Sequence, residues 1–209
     1  MTTVDPHPLP KSGLESSRVR LEPFQRLVHA DGFFFPNRRT SRTDSIEEHF
    51  EANPTSILFA VIDKTRGQSG ALAGVIGLIH TSSQNRWTEI ACVICFPDFQ
   101  RTFVNTNAVG LLLRYCLDLP KDGGLGFRRV QWTANTANAA SIRAAERMGL
   151  KLEGISRWTW VLPEGKEGKA AGEGRGEGVG RDTAVLGICW DDWENGGREH
   201  VERAMERKS

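Results

Sequence analysis

The chain has 209 residues, long enough for one domain with a sizeable core. Its charge is balanced, 27 Lys and Arg against 26 Asp and Glu, which removes the electrostatic case for a nucleic-acid partner. No stretch is long and apolar enough to span a membrane, and the opening "MTTVDPHPLPKSGLESS" lacks the apolar run of a signal peptide.

Residues 1–16 read as a loose arm, and a single domain is expected over 17–209. "SRVRLEPF" (17–24) alternates and ends at Pro23, so it reads as a strand. The mixed stretch after it suggests a short helix and a loop around Gly32 and Pro36. "TDSIEEHFEAN" (43–53) reads as a helix, with Asp44 placed to cap it, Glu47 three residues on and Pro54 to stop it. "TSILFAVID" (55–63), "ALAGVIGLIHT" (71–81) and 88–96 are apolar strands joined by short turns, an antiparallel meander.

The period then changes. Ala108, Leu111, Leu112, Tyr115, Cys116 and Leu119 recur at helical spacing in 106–119. "FRRVQWTAN" (127–135) is a strand. The helix over 138–149 starts at the capping residue Asn138 and ends at Gly149. Strand, helix, strand, helix implies a crossover, and so a parallel pairing of 88–96 with 127–135. Strands at 153–162 and 181–190 flank a Gly-rich, charged hairpin excursion over 164–181, which has too few apolar groups to order itself. A final helix is weakened at Gly196-Gly197. The expected fold class is α+β: a mixed, mostly antiparallel twisted sheet with a central parallel pair, flanked by helices.

Cysteine is sparse. Cys92-x-x-Cys95 has the spacing of half a zinc site, but no second pair exists and an offset of three in a strand sends the side chains to opposite faces. Buried thiols in a reducing compartment are the expectation, with no metal and a cytoplasmic location.

Two stretches carry a resemblance. "RRVQWTANTANAASIRAAERMGLKLEGISR" (128–157) resembles the second signature of RimJ/RimL-type N-acetyltransferases of the GNAT superfamily, in its strand, its Asn138-x-x-Ser141, its helix ending Glu146-Arg147-Met148-Gly149-Leu150, and Glu153-Gly154. "TEIACVICFPDFQRTFVNTNAVGLLL" resembles the first, with Glu89-Ile90 opening the strand. Weaker echoes at "VRLEPF" and "RDTAVLGICWDDW" extend the resemblance over nearly the whole chain.

The resemblance implies acetyl-coenzyme A (acetyl-CoA) as co-substrate and the loop from Gln100 to Thr106 as its pyrophosphate bed. The common pattern there is Gln/Arg-x-x-Gly-x-Gly/Ala. Laid on this chain, its small positions fall on Phe103 and Asn105, so the loop has no glycine. It is similar instead to a Gln-Arg-Thr subgroup. In that reading Arg101 and the hydroxyls of Thr102 and Thr106 add contacts to the backbone N–H groups of Phe103, Val104 and Asn105. The subgroup has an acid before Ala108; here Asn107 stands in its place.

Acetyl transfer to an amine needs a held donor, a deprotonated acceptor, a stabilised oxyanion and a protonated leaving thiolate. The resemblance implies that the two parallel strands splay, with a backbone N–H near Ile94 meeting the carbonyl. Ser141 is the candidate acid for the sulfur. Asn138 either caps its helix, contacts the pantetheine arm, or does both. Glu89 is the candidate general base, acting through a water, with His29, His49 and His80 as other proton acceptors. Tyr115 falls on the core stripe of its helix, with a thiolate-acid role as the alternative. Trp158 and Trp160 either wall an acceptor pocket or pack the sheet. Arg38, Arg39 and Arg42 form a basic loop cluster. The implied activity is direct acetyl transfer to an amine in a ternary complex. A small-molecule acceptor is favoured, with a peptide N-terminus or a non-catalytic acyl-CoA-binding role as alternatives. A homodimer is compatible with the open edges of such a sheet.

Overall fold

Short turns between apolar runs make consecutive strands antiparallel neighbours. The computed structural model describes residues 7–9, 13–25, 28–29, 50 and 52–207; such turns join β1 (Leu14–Glu15) to β2 (Val19–Pro23) and β3 (Ile57–Asp63) to β4 (Ala71–Ser82) and β5 (Trp87–Cys95), while β2 and β3 pair antiparallel across the longer stretch 24–56. Helix α1 (Phe103–Leu117) then crosses the sheet and returns the chain to β6 (Arg129–Asn135), parallel to β5. After α2 (Ala139–Arg147) come β7 (Lys151–Val161), the two-residue β8 (Lys169–Ala170) and β9 (Val179–Cys189). A kinked helical segment leads to α3 (Arg198–Glu206). The sheet order is β1-β2-β3-β4-β5-β6-β9-β7, with β8 paired to β9. This is the mixed, mostly antiparallel α+β sheet with a central parallel pair that the sequence leads one to expect.

The core lies between one sheet face and α1. Ile76, Leu78, Ile90, Val130, Leu186 and Ile188 are buried there with Val104, Ala108, Leu112 and Leu113 of the helix. Helix α1 is apolar almost all round because α3 covers its second side with Val201 and Met205. Gly110 makes that crossing close: a Cβ there would lie 2.4 Å from the Met205 sulfur.

Several expectations change. The arm expected over 1–16 includes β1, which pairs with β2 and buries Leu14 opposite Leu21. The helix expected from 106 begins at Phe103, because Thr102 caps it by accepting the Val104 N–H, so Phe103 to Thr106 are helical. Within 164–181 the chain returns to the sheet as β8, where the absence of a side chain at Gly168 lets the backbone approach Gly180. The weak point at Gly196-Gly197 is a π-turn in which Asn195 and Gly196 leave helical geometry. Most of the helix expected over 43–53, with Asp44 and His49, lies outside the described residues, as do Arg38, Arg39 and Arg42.

Candidate active site

The parallel register of β5 and β6 runs from Trp87 opposite Arg129 to Ile90 opposite Trp132, and stops. Beyond it β5 keeps its bonds to β4, and β6 keeps its bonds to β9 as far as Asn135. The two central strands therefore part. A bulge marks the place: two steps of β4, from Gly77 to Val75, face three of β5, from Ala91 to Ile94. Cys92 has a φ of +50° there. Ile94 ends the bulge, and its carbonyl oxygen lies so close to Gly74 that a Cβ on that glycine would sit 2.0 Å away. Cys92 packs toward Phe50, Leu58 and Val75 whereas Cys95 packs on the main core, and burial raises both thiols above their ordinary pKa.

Where the strands part, a cleft of about 600 Å³ opens toward the N-terminus of α1 and one side of α2. Gln100, Arg101, Thr102, Asn105 and Thr106 line it from the loop and the first helical turn. The Gln100 amide donates to the Cys95 carbonyl at 3.0 Å, and the Thr102 hydroxyl donates to the Phe99 carbonyl at 2.7 Å. Arg101 takes the left-handed turn itself, at φ +60°. Phe103 and Val104 do not line the cleft. The Phe103 ring lies 4.3 Å beneath the Arg18 guanidinium, and Val104 is buried. The bulky residue at the usual glycine position thus points away, and the helix N-terminus stays open to an anion.

Asn107 also points away. Its amide donates to the carbonyls of Phe103 and Met205 at 3.1 and 3.2 Å, and its oxygen accepts from the Ser16 hydroxyl at 2.9 Å. It ties α1 to α3 and to the N-terminal segment. Two cationic side chains absent from the sequence-based candidates, Arg143 and Arg147, line the cleft from α2. Their i, i+4 spacing on that helix was the available signal.

Asn138 caps α2 by accepting the Ser141 N–H at 3.1 Å. The Ser141 oxygen in turn accepts the indole N–H of buried Trp132 at 3.0 Å. An indole only donates, so the serine keeps its own proton for another acceptor. Both Asn138 and Ser141 border the cleft.

Glu89 belongs to the opposite sheet face. Its carboxylate is buried and accepts from the Thr133 hydroxyl at 2.6 Å and from the Gln131 amide at 3.1 Å. The Nδ1 atom of His80 is 3.5 Å from the second oxygen. His80 reaches it from an irregularity of β4, where three steps from Ile79 to Ser82 face two of β5. Alternation along β6 sends Trp132 to Ser141 and its neighbours Gln131 and Thr133 to Glu89. Ser141 and Glu89 therefore flank the sheet, and a molecule that reaches both passes through the gap between β5 and β6.

The remaining candidates lie elsewhere. His29 is buried in local contacts with Gln25 and Glu22. Tyr115 is in the main core, as its spacing indicated. Trp158 and Trp160 are about half exposed on the edge strand β7. Cys189, Asp191 and Asp192 are the group of metal-ligand atoms that cluster among the described residues, but Asp192 is already paired with Lys151.

Comparison with known proteins agrees with this geometry. No curated protein sequence matches the chain. A GCN5-related N-acetyltransferase from Brucella melitensis has a similar structure, with 26% identity, a TM-score of 0.73, and coverage of 98% of this chain and 90% of that one. Spermidine/spermine N-acetyltransferase SpeG from Vibrio cholerae shares the fold at 15% identity and a TM-score of 0.59, covering 86% of this chain and 96% of that one. Residues 18–151 match the model of the acetyltransferase (GNAT) domain, more than half of the sequence. With splayed parallel strands, a helix N-terminus facing the cleft and that match, the chain belongs to the GNAT acetyltransferase family.

Proposed function

We propose that the protein transfers the acetyl group of acetyl-CoA to the amine of a small molecule, by direct attack in a ternary complex. The observation that carries this reading is the placement of Ser141 and Glu89 on either side of one gap, with a cationic cleft leading into it. Glu89-Ile90 and Asn138-x-x-Ser141 also support a place in the RimJ/RimL-like subgroup.

The residues present suit the co-substrate. Arg101, Arg143, Arg147 and the N-terminus of α1 offer charge and donors to its phosphates. The co-substrate supplies an activated acetyl thioester. Ser141, with its oxygen held by Trp132, donates a proton toward the departing sulfur. The N–H near Ile94, at the end of the bulge, is the donor for the carbonyl oxygen. The Glu89 carboxylate lies on the side from which the amine approaches, where its charge favours loss of the amine's proton. SpeG is a spermidine/spermine N-acetyltransferase, which supports a small amine as acceptor here.

Calorimetric titration with acetyl-CoA and with free CoA tests the cleft. Micromolar binding of both is expected, and no binding by either at millimolar concentration refutes the reading. A panel of spermidine, glucosamine and an alanyl tripeptide then distinguishes a small amine from a peptide N-terminus.

A homodimer is part of the proposal. The last strand of the sheet, β7, is exposed along all eleven residues and displays Leu152, Ile155, Trp158, Trp160 and Val161. Such an edge is self-complementary when a second copy pairs with it antiparallel about a two-fold axis. Sedimentation should give a dimer, and a double change of Trp158 and Trp160 to Glu should give a monomer.

A further inference from the structure

We infer that His80, held by Glu89, is the group that takes the proton from the acceptor amine, and that Glu89 acts by positioning it. This inference rests on the acyl-transfer reading above. Glu89 itself is poorly placed to meet a substrate. Its side chain is 8% exposed, and each oxygen already accepts a hydrogen bond, from Thr133 and from Gln131. The His80 side chain is 52% exposed and lies 3.5 Å through Nδ1 from the carboxylate. That separation is long for a hydrogen bond, and catalytic contacts of this kind tighten when substrate binds. Among the described residues Glu89 is the acidic group that forms an ion-pair contact with the His80 ring.

The backbone gives independent support. His80 stands at φ +53°, an uncommon conformation for a residue other than glycine, within the irregular stretch of β4 beside Glu89. Regular pairing would continue the alternation of Ile79 and Ser82. The irregularity brings the ring to the carboxylate instead. A buried, doubly bonded anion behind an exposed imidazole is the arrangement in which a carboxylate fixes the tautomer and stabilises the imidazolium.

The proton balance is complete. Nδ1–H faces Glu89, and Nε2 takes one proton from the ammonium and later releases it to water. The free amine forms its C–N bond to the acetyl carbon as the C–S bond breaks. As the C–N bond forms the nitrogen passes its second proton to water, Ser141 gives its hydroxyl proton to the sulfur, and the serine is reprotonated from solvent, so one proton is released overall.

Two measurements test this. In nitrogen NMR of the free protein, His80 should be the Nδ1–H tautomer, and Glu89→Gln should change the tautomer balance. An Nε2–H ring in wild type, or no response to Glu89→Gln, overturns the pairing. Kinetically, His80→Gly suits the positive φ and should fold normally, which thermal melting checks. With the amine that wild type turns over in the spermidine, glucosamine and tripeptide panel, it should lose about 100-fold or more in kcat. Added imidazole should restore part of the loss. Undiminished turnover in His80→Gly, or a loss that imidazole does not rescue, assigns the proton to another group. If wild type acetylates none of the three amines, acyl transfer fails as the function, whereas the tautomer result still decides whether Glu89 holds His80.

Discussion

Asn107 sets the resemblance and the structure against each other. The Gln-Arg-Thr subgroup that the loop resembles carries an acid at this place, so Asn107→Asp would restore the subgroup's residue. The geometry predicts damage instead. Asn107 is 2% exposed, and its amide nitrogen donates to two carbonyls, of Phe103 and Met205, at 3.1 and 3.2 Å. A carboxylate oxygen there faces both carbonyls with nothing to donate. Leaving a buried acceptor unsatisfied costs about 1–3 kcal/mol, so two cost roughly 2–6 kcal/mol before the burial of charge is added. Against a typical total of ~5–15 kcal/mol that is a large fraction. Urea titration at pH 7 should show the midpoint falling sharply, and the deficit should shrink as the pH is lowered, because the protonated acid regains one donor. The affinity for CoA of the fraction that remains folded should be unchanged. A variant of wild-type stability that binds CoA more weakly would show instead that this side chain faces the phosphates and does not tie α1 to α3.

Other outcomes follow from the same contacts. Ser141→Ala should lower kcat by about tenfold or more with little change in CoA affinity, and Trp132→Phe, which removes only the indole donor, should lower it less; steady-state kinetics with calorimetry checks both. Arg143→Gln with Arg147→Gln should weaken CoA binding by about tenfold or more and flatten its salt dependence. Gly74→Ala forces Ile94 aside and should reduce both melting temperature and turnover. Acid should loosen the β7–β9 edge first. Lys169 holds Asp182 below the ordinary carboxylate pKa, Arg129 does so for Glu153, and Lys151 for Asp192. Their stabilisation is present above the unfolded value near ~4 and is lost as the pH falls through the lower folded values. Hydrogen exchange below pH 4 should therefore rise in β7 and β8 before it rises in β4.

The β3–β4–β5 meander and the cap at Asn138 were legible because each rests on local signals, apolar period, turn residues and a capping side chain within three positions, and the parallel pair followed from the helix between its strands; the insertion of β9 between β6 and β7 has no such signal. The coupling of His80 to Glu89 was not legible either. It depends on one extra residue in β4 between Ile79 and Ser82, and a bulge has no apolar period of its own. Arg143 and Arg147 were hidden for another reason. A basic pair on a short helix reads as a solvated face until tertiary packing turns that face to a cleft. Leu14 was missed because a two-residue strand offers no alternation to detect.

The glycine-free loop follows from dividing the work of a glycine among neighbours. A glycine in a phosphate loop permits a left-handed turn and leaves no side chain between backbone and anion. Here Arg101 makes the left-handed turn, at φ +60°, and is itself a cleft residue able to meet a phosphate. Thr102 caps the helix and fixes where it starts, which turns Phe103 toward Arg18 and Val104 into the core. The exposed side of the first turn is left to Asn105 and Thr106, both polar and both in the cleft. The strain of a non-glycine left-handed residue is the cost of placing a guanidinium there, on the order of 1 kcal/mol. Arg101→Gly should accordingly relieve strain while removing a charge. Stability should hold or rise as CoA affinity falls, and a fall in both would mean that Arg101 serves the fold and not the ligand.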